Sequence, residues 1–187
     1  MSKSTVLTLV GSLRAGSTNQ QLAEAIQLNA PEQVDVVIHE TLANIPFYNE
    51  DIDVEGQVPA AAAALRAAAN DADTLLLVTP EYNGTMPAPL KNAIDWLSRP
   101  YGAGALAGKP TAVVGTAFGQ FGGVWAQDEA RKAVGIAGAQ VLEDAKLAVP
   151  GSMARFAEVH PKDDAEVVEQ IKGVFTAIAD ARTVAAA

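Results

Sequence analysis

Short apolar runs alternate along this chain with longer stretches of helical period. Val6 to Val10, Val34 to Ile38, Thr74 to Thr79 and Thr111 to Thr116 are short and rich in β-branched or aliphatic residues, the pattern of strands buried on both faces. A fifth strand is predicted from Ala139 to Leu147. Between these runs, Asn19 to Asn29, Ala60 to Asn70, Leu90 to Ser98 and Val124 to Ala137 read as helices. Asp163 to Ala185 places Val167, Ile171, Val174, Phe175 and Ile178 at helical spacing, with fraying expected over Ala185 to Ala187. Strand and helix therefore alternate, which predicts an α/β fold: a doubly wound, five-stranded parallel sheet with helices on both faces and ligands at the carboxyl ends of its strands. No linker or composition shift interrupts the pattern, so residues 1–187 are expected to form a single domain. His39 to Gly56 stands apart, because a connection that long with little periodicity is commonly a site or contact loop.

Composition narrows the chemistry. A chain of 187 residues can bury one sizeable core without staples, and it contains no cysteine, which removes disulfides, thiolate nucleophiles and cysteine-based metal sites. The net charge of −9 would repel a nucleic-acid backbone, so no nucleic-acid partner is expected. The apolar run Val6 to Val10 is too short for a signal segment or a membrane span; a cytoplasmic protein with no membrane partner is the expectation. His39 and His160 lie far apart with no ligand spacing, so no metal site is expected.

The turn "GSLRAGSTN", Gly11 to Asn19, joins the first strand to the first helix. Free backbone N–H groups and the positive end of a helix dipole face one point there, which stabilises an anion. Ser12, Ser17 and Thr18 add hydroxyls, Asn19 an amide and Arg14 a forked cation. The run nearly spells the P-loop, with Gly11, Gly16 and Thr18 in register but Ser17 where lysine is required. No strand-end aspartate suits a magnesium-bound triphosphate, and neither G-x-G-x-x-G nor G-x-S-x-G is present. A terminal monophosphate needs none of these, which points to a mononucleotide. The plainer reading is that Ser17 or Thr18 only caps the helix.

After the third strand comes "PEYNGTMPAPLKNAIDWLSRP", Pro80 to Pro100, a stiff turn that becomes a helix. G-S-L-R-x-G-S-x-N paired with P-E-Y-N-G and L-K-N-A-I-D-W-L resembles the NADPH-dependent FMN reductase family, which includes quinone, chromate and azo-dye reductases; "IPFYNEDID", Ile45 to Asp53, resembles that family's segment after the second strand. The resemblance implies a flavodoxin-like FMN-binding domain. It implies that Ser12, Arg14, Ser17, Thr18 and Asn19 hold the FMN phosphate and ribityl chain, and that Pro80, Glu81, Tyr82, Asn83 and Gly84 run along the isoalloxazine ring. "TAFGQFGG", Thr116 to Gly123, resembles the third flavin loop, contributing Thr116, Gly119, Gly122 and Gly123.

The implied activity passes a hydride from NADPH or NADH through bound FMN to a small-molecule acceptor: a quinone, free flavin, chromate or an azo compound. The flavin carries the chemistry, so no catalytic side chain is expected. Homodimers or homotetramers are implied, with the acidic stretch Glu50, Asp51, Asp53 and Glu55 either solvated or reaching toward a neighbouring subunit. Trp96 and Trp125 read as core or interface aromatics. Arg99, Arg155 and Lys109 are candidates for a 2′-phosphate. Two alternatives remain: a flavodoxin-like FMN electron carrier without its own NAD(P)H turnover, and a nucleotide-binding module without flavin.

Overall fold

The computed structural model describes residues 3–40 and 42–185. Five parallel strands, β1 (Ser4–Val10), β2 (Val34–Ile38), β3 (Thr74–Val78), β4 (Pro110–Thr116) and β5 (Gln140–Val149), form one sheet in the order β2-β1-β3-β4-β5. This is the flavodoxin-like order, and its switch point lies between β1 and β3. The helices are α1 (Thr18–Leu28), α2 (Ala60–Asp71), α3 (Ala88–Leu97), α4 (Val124–Ile136), the single turn α5 (Ser152–Arg155) and α6 (Ala165–Ala185). Ala186 and Ala187, where fraying was expected, lie outside the described residues.

Side-chain alternation along the strands sorts the core into two layers. Leu7, Leu9, Leu75, Leu77 and Val113 pack under α2, α3 and α4, whereas Val6, Val10, Leu76, Val78, Ala112 and Val114 pack under α1 and α6. Every residue of β3 is buried, which is why its sequence is apolar without alternation. β5, an edge strand like β2, alternates from Asp144 to Val149. Its pairing with β4 shifts register between Thr111 and Val113. The alanine-rich α2 lies close to the sheet through Ala62, Leu65 and Ala69.

The long connection from β2 to α2 is a strap, not an open loop. Asn92 of α3 accepts from the Tyr48 N–H (2.8 Å) and donates to the carbonyls of Ile45 (3.3 Å) and Pro46 (3.0 Å). The Trp96 indole N–H also donates to Pro46 (2.8 Å), which satisfies the one polar atom of a fully buried ring. Arg66 of α2 stacks 5.1 Å from the Trp96 ring centroid and forks onto both oxygens of Asp53, at 2.6 and 2.8 Å. Asp53 is thus taken out of the acidic stretch to clamp the strap, while Glu50, Asp51 and Glu55 remain exposed.

The hydrogen bonds from Arg66 hold the Asp53 carboxyl below its ordinary range, outweighing the opposing effect of burial. A carboxylate whose pKa is depressed by folding stabilises the fold above its unfolded pKa, about 4, and loses that contribution as pH falls through its folded pKa. Asp53→Asn is therefore expected to cost about 2–3 kcal/mol at pH 7. In urea unfolding, the gap between parent and variant should close progressively below about pH 4; a gap independent of pH would refute the clamp.

Candidate functional site

Three turns leave the carboxyl ends of β1, β3 and β4 and meet at one edge of the sheet. In the first, the Gly11 N–H donates to the Val78 carbonyl (2.9 Å), extending the β1–β3 ladder by one residue. A Cβ at position 11 would stand 2.8 Å from Pro87 Cγ, so glycine is what lets this turn lie against the second. Ser17 is buried and caps α1, its hydroxyl oxygen accepting from the Asn19 N–H (3.2 Å). Among the described residues, no protein group accepts from the backbone N–H of Ser12, Leu13, Arg14, Ala15 or Gly16. These amides border a pocket of about 220 Å³ that His39 and Glu40 also line. Arg14 is exposed, and its guanidinium meets the carbonyl of the adjacent Ala15. Thr18, half-buried, opens the helix.

The second turn follows Pro80, which is buried. Tyr82 and Thr85 exchange two backbone hydrogen bonds (3.0 and 3.1 Å) around Asn83 and Gly84, whose φ angles of 55° and 78° both lie in the left-handed region. That is the pattern of a two-residue Asn-Gly hairpin turn. Tyr82 and Asn83 are exposed at its tip. In the third turn, from Ala117 to Gly123, Gln127 donates to the Gly122 carbonyl (3.2 Å) and is held in turn by Arg131. Arg131, itself buried, also donates to the Val113 carbonyl (2.7 Å), at the point where the β4–β5 register shifts. Gly122 and Gly123 are buried and Gly119 is exposed.

Side chains then tie one turn to another. The Asn19 amide donates to the Thr116 carbonyl (2.8 Å) and accepts from the Thr116 N–H (3.0 Å), and the Thr116 hydroxyl donates to Val149 (2.8 Å). All three groups are buried, so Asn19 and Thr116 hold the first turn to the end of β4. Glu81 likewise turns its carboxylate to the Ala126 N–H (3.2 Å) of α4, and Thr85 bonds Glu129.

Sequence reasoning did not anticipate several residues here. Of the two tryptophans read as core or interface, Trp96 is buried, whereas Trp125 is 57 % exposed and lies 5.8 Å from the Phe121 ring; Phe118 is exposed as well. These aromatics belong to the third turn and the start of α4, and their placement on both sides of the Gly122–Gly123 pair was the available signal. Of the 2′-phosphate candidates, Arg155 is paired with Asp164 and Glu166, and Lys109 with the carbonyls of Asn70 and Ala72. Burial pushes the Lys109 ammonium below its ordinary range. Arg99 lies over the Tyr48 ring and borders a groove between α3 and α4.

Residues 4–154 match the sequence profile of a family described as NADPH-dependent FMN reductase. The chain belongs to that family. As a member it is an oxidoreductase that works with FMN and a nicotinamide donor. It is 43 % identical over 126 residues, 67 % of either chain, to a 2-hydroxy-1,4-benzoquinone reductase of a Burkholderia species. It is 40 % identical over 137 residues, 73 % of this chain and 72 % of the other, to a quinone reductase of Escherichia coli (strain K12). Among solved structures, a flavoenzyme NAD(P)H:(acceptor) oxidoreductase from Paracoccus denitrificans aligns with a TM-score of 0.70 and 31 % identity, covering 87 % of this chain and 81 % of that one.

The paired hydrogen bonds between Asn19 and Thr116 carry a direct expectation. Asn19→Ala leaves a buried carbonyl and N–H without partners, at a cost of about 1–3 kcal/mol, measurable as a lower urea midpoint of the FMN-reductase chain without cofactor. An unchanged midpoint would contradict the tie.

Proposed function

We propose that this chain is an FMN-dependent NAD(P)H:quinone oxidoreductase whose first turn holds the FMN phosphate and whose second and third turns flank the ring. The observation that carries the reading is the run of backbone amides from Ser12 to Gly16 that no protein group accepts among the described residues, set before the N-terminus of α1 with an exposed Arg14 guanidinium that meets only the adjacent Ala15 carbonyl. A dianionic monophosphate is the ligand such a donor set fits, since it needs neither a lysine nor a magnesium ion. Ser12 and Thr18 add hydroxyls, and Ser17 keeps its own hydrogen to donate because its oxygen is the partner in the cap.

The bound FMN supplies hydride transfer between the nicotinamide and the acceptor. The protein's part is to bind and orient. The exposed tip of the Asn83–Gly84 turn offers unaccepted amides at its surface, and Tyr82, Phe118, Phe121 and Trp125 provide an apolar wall on which a planar nicotinamide or quinone stacks. Quinone is favoured as acceptor by the quinone reductases among the relatives. The donor is NADPH or NADH. The absence of cysteine suits a reducing cytoplasm, and no helix among the described residues is long and apolar enough to cross a membrane.

The active form is a homodimer or a homotetramer. A groove of about 700 Å³ between α3 and α4 exposes Ile136 and carries Lys91, Asp95, Glu129 and Lys132, mixed charges that a two-fold axis makes complementary. Ile136→Asp is expected to shift the sedimenting species to monomer; a parent that already sediments as monomer would refute this assignment.

Purified protein is expected to be yellow and to bleach with NADPH under anaerobic conditions. Arg14→Ala with Ser17→Ala should weaken FMN binding at least about 100-fold, the sum of a charged bond and a capping hydroxyl. A double variant as tightly loaded as the parent would overturn the proposal.

A further inference from the structure

α4 starts without a side-chain cap. Its N-cap is Gly123, in the left-handed conformation at φ 80°, and no side chain of its own segment accepts from the first turn. The missing acceptor comes from another part of the chain: the Glu81 carboxylate, 45 residues earlier, accepts from the Ala126 N–H at 3.2 Å. Around it the fit is close. A Cβ at Gly123 would stand 3.6 Å from Glu81 Cβ and 3.3 Å from Ala117 Cβ, and a Cβ at Gly84 would stand 3.9 Å from the Trp125 ring. The far side of the same hairpin turn is fastened to α4 as well, through Thr85 and Glu129.

We propose that Glu81 is a positioning residue of the redox site with two effects. Its carboxylate caps α4 in trans, so that the second and third turns hold one spacing, and its negative charge offsets the positive end of α4 where those turns flank the ring. Both effects act through α4, and Glu81 needs no contact with the ligand. The charged effect rests on the FMN reading given above; the capping effect does not.

The two effects separate in two substitutions. Glu81→Ala removes the acceptor and the charge together, whereas Glu81→Gln keeps an oxygen for the Ala126 N–H and removes only the charge. In the full chain without cofactor, hydrogen exchange at the Ala126 amide is expected to accelerate at least about tenfold in Glu81→Ala and less than about threefold in Glu81→Gln, while amides in the middle of α4 keep the parent rate. With FMN bound, Glu81→Ala should weaken binding about tenfold and Glu81→Gln less than about threefold. The midpoint potential of the FMN in Glu81→Gln should lie above that of the parent, because the reduced ring carries more negative charge and then meets an unscreened helix end.

A merely structural Glu81 would not move the potential while the affinity stays. An Ala126 amide that exchanges at the parent rate in Glu81→Ala would overturn the capping effect, whether or not the protein binds FMN. Normal capping with an unshifted potential in Glu81→Gln would overturn the charge effect alone. Failure of the parent to bind FMN, with the exchange result intact, would instead refute the reading of the site.

Discussion

Backbone amides that the fold leaves without acceptors are the constraint on which the rest of the structure turns. A parallel sheet sends every strand into its helix at the same edge, and each helix starts with N–H groups that have no partner within it. Side chains satisfy some of them: Ser17 caps α1 from its own turn, and α4 borrows Glu81 from 45 residues earlier. The five amides from Ser12 to Gly16 are satisfied by nothing in the protein among the described residues. An apolar ligand would leave them desolvated at a cost and a cation would be repelled, which is why the proposed ligand of this turn is an anion.

An anion alone does not make a redox site; the ring needs walls with a fixed spacing. Here the spacing depends on a few side-chain to backbone bonds that cross between segments. Asn19 joins the first turn to the end of β4, Gln127 and Arg131 hold the third turn from beneath, and Asn92 with Trp96 holds the strap against α3. Each of these bonds is buried or half-buried, where an orphaned partner is expensive, so the arrangement resists partial opening. The surface proposed for substrate is correspondingly simple: exposed aromatics and the tip of a hairpin turn.

Most of the architecture was legible in the residues. Strand and helix positions follow from local period, and each predicted strand agrees with the structure to within about two residues, most simply at the central β3, where burial on both faces leaves a continuous apolar run. The family resemblance marked three turns, and the structure brings all three to one edge of the sheet. What stayed hidden was which partner each polar side chain takes. Asn19 reads locally as a ligand group, yet its partner is Thr116, 97 residues away. Glu81 reads as part of a ring-flanking turn and Asp53 as a solvated or subunit-facing acid, and their protein partners, the Ala126 N–H and Arg66, reach them only in the folded chain. The connection from His39 to Gly56 lacked periodicity because it packs through carbonyls and single side chains, not through a helical or pleated face.

The central claim is that the phosphate, held without a metal, anchors the cofactor. Comparing the affinity of the cofactor-free protein for FMN and for riboflavin, with and without EDTA, tests it most directly. The account predicts that riboflavin binds at least about 100-fold more weakly, the equivalent of roughly 2.7 kcal/mol of phosphate contacts, and that EDTA changes neither affinity. Equal affinity for the two flavins, or an FMN affinity that collapses with EDTA, would contradict it.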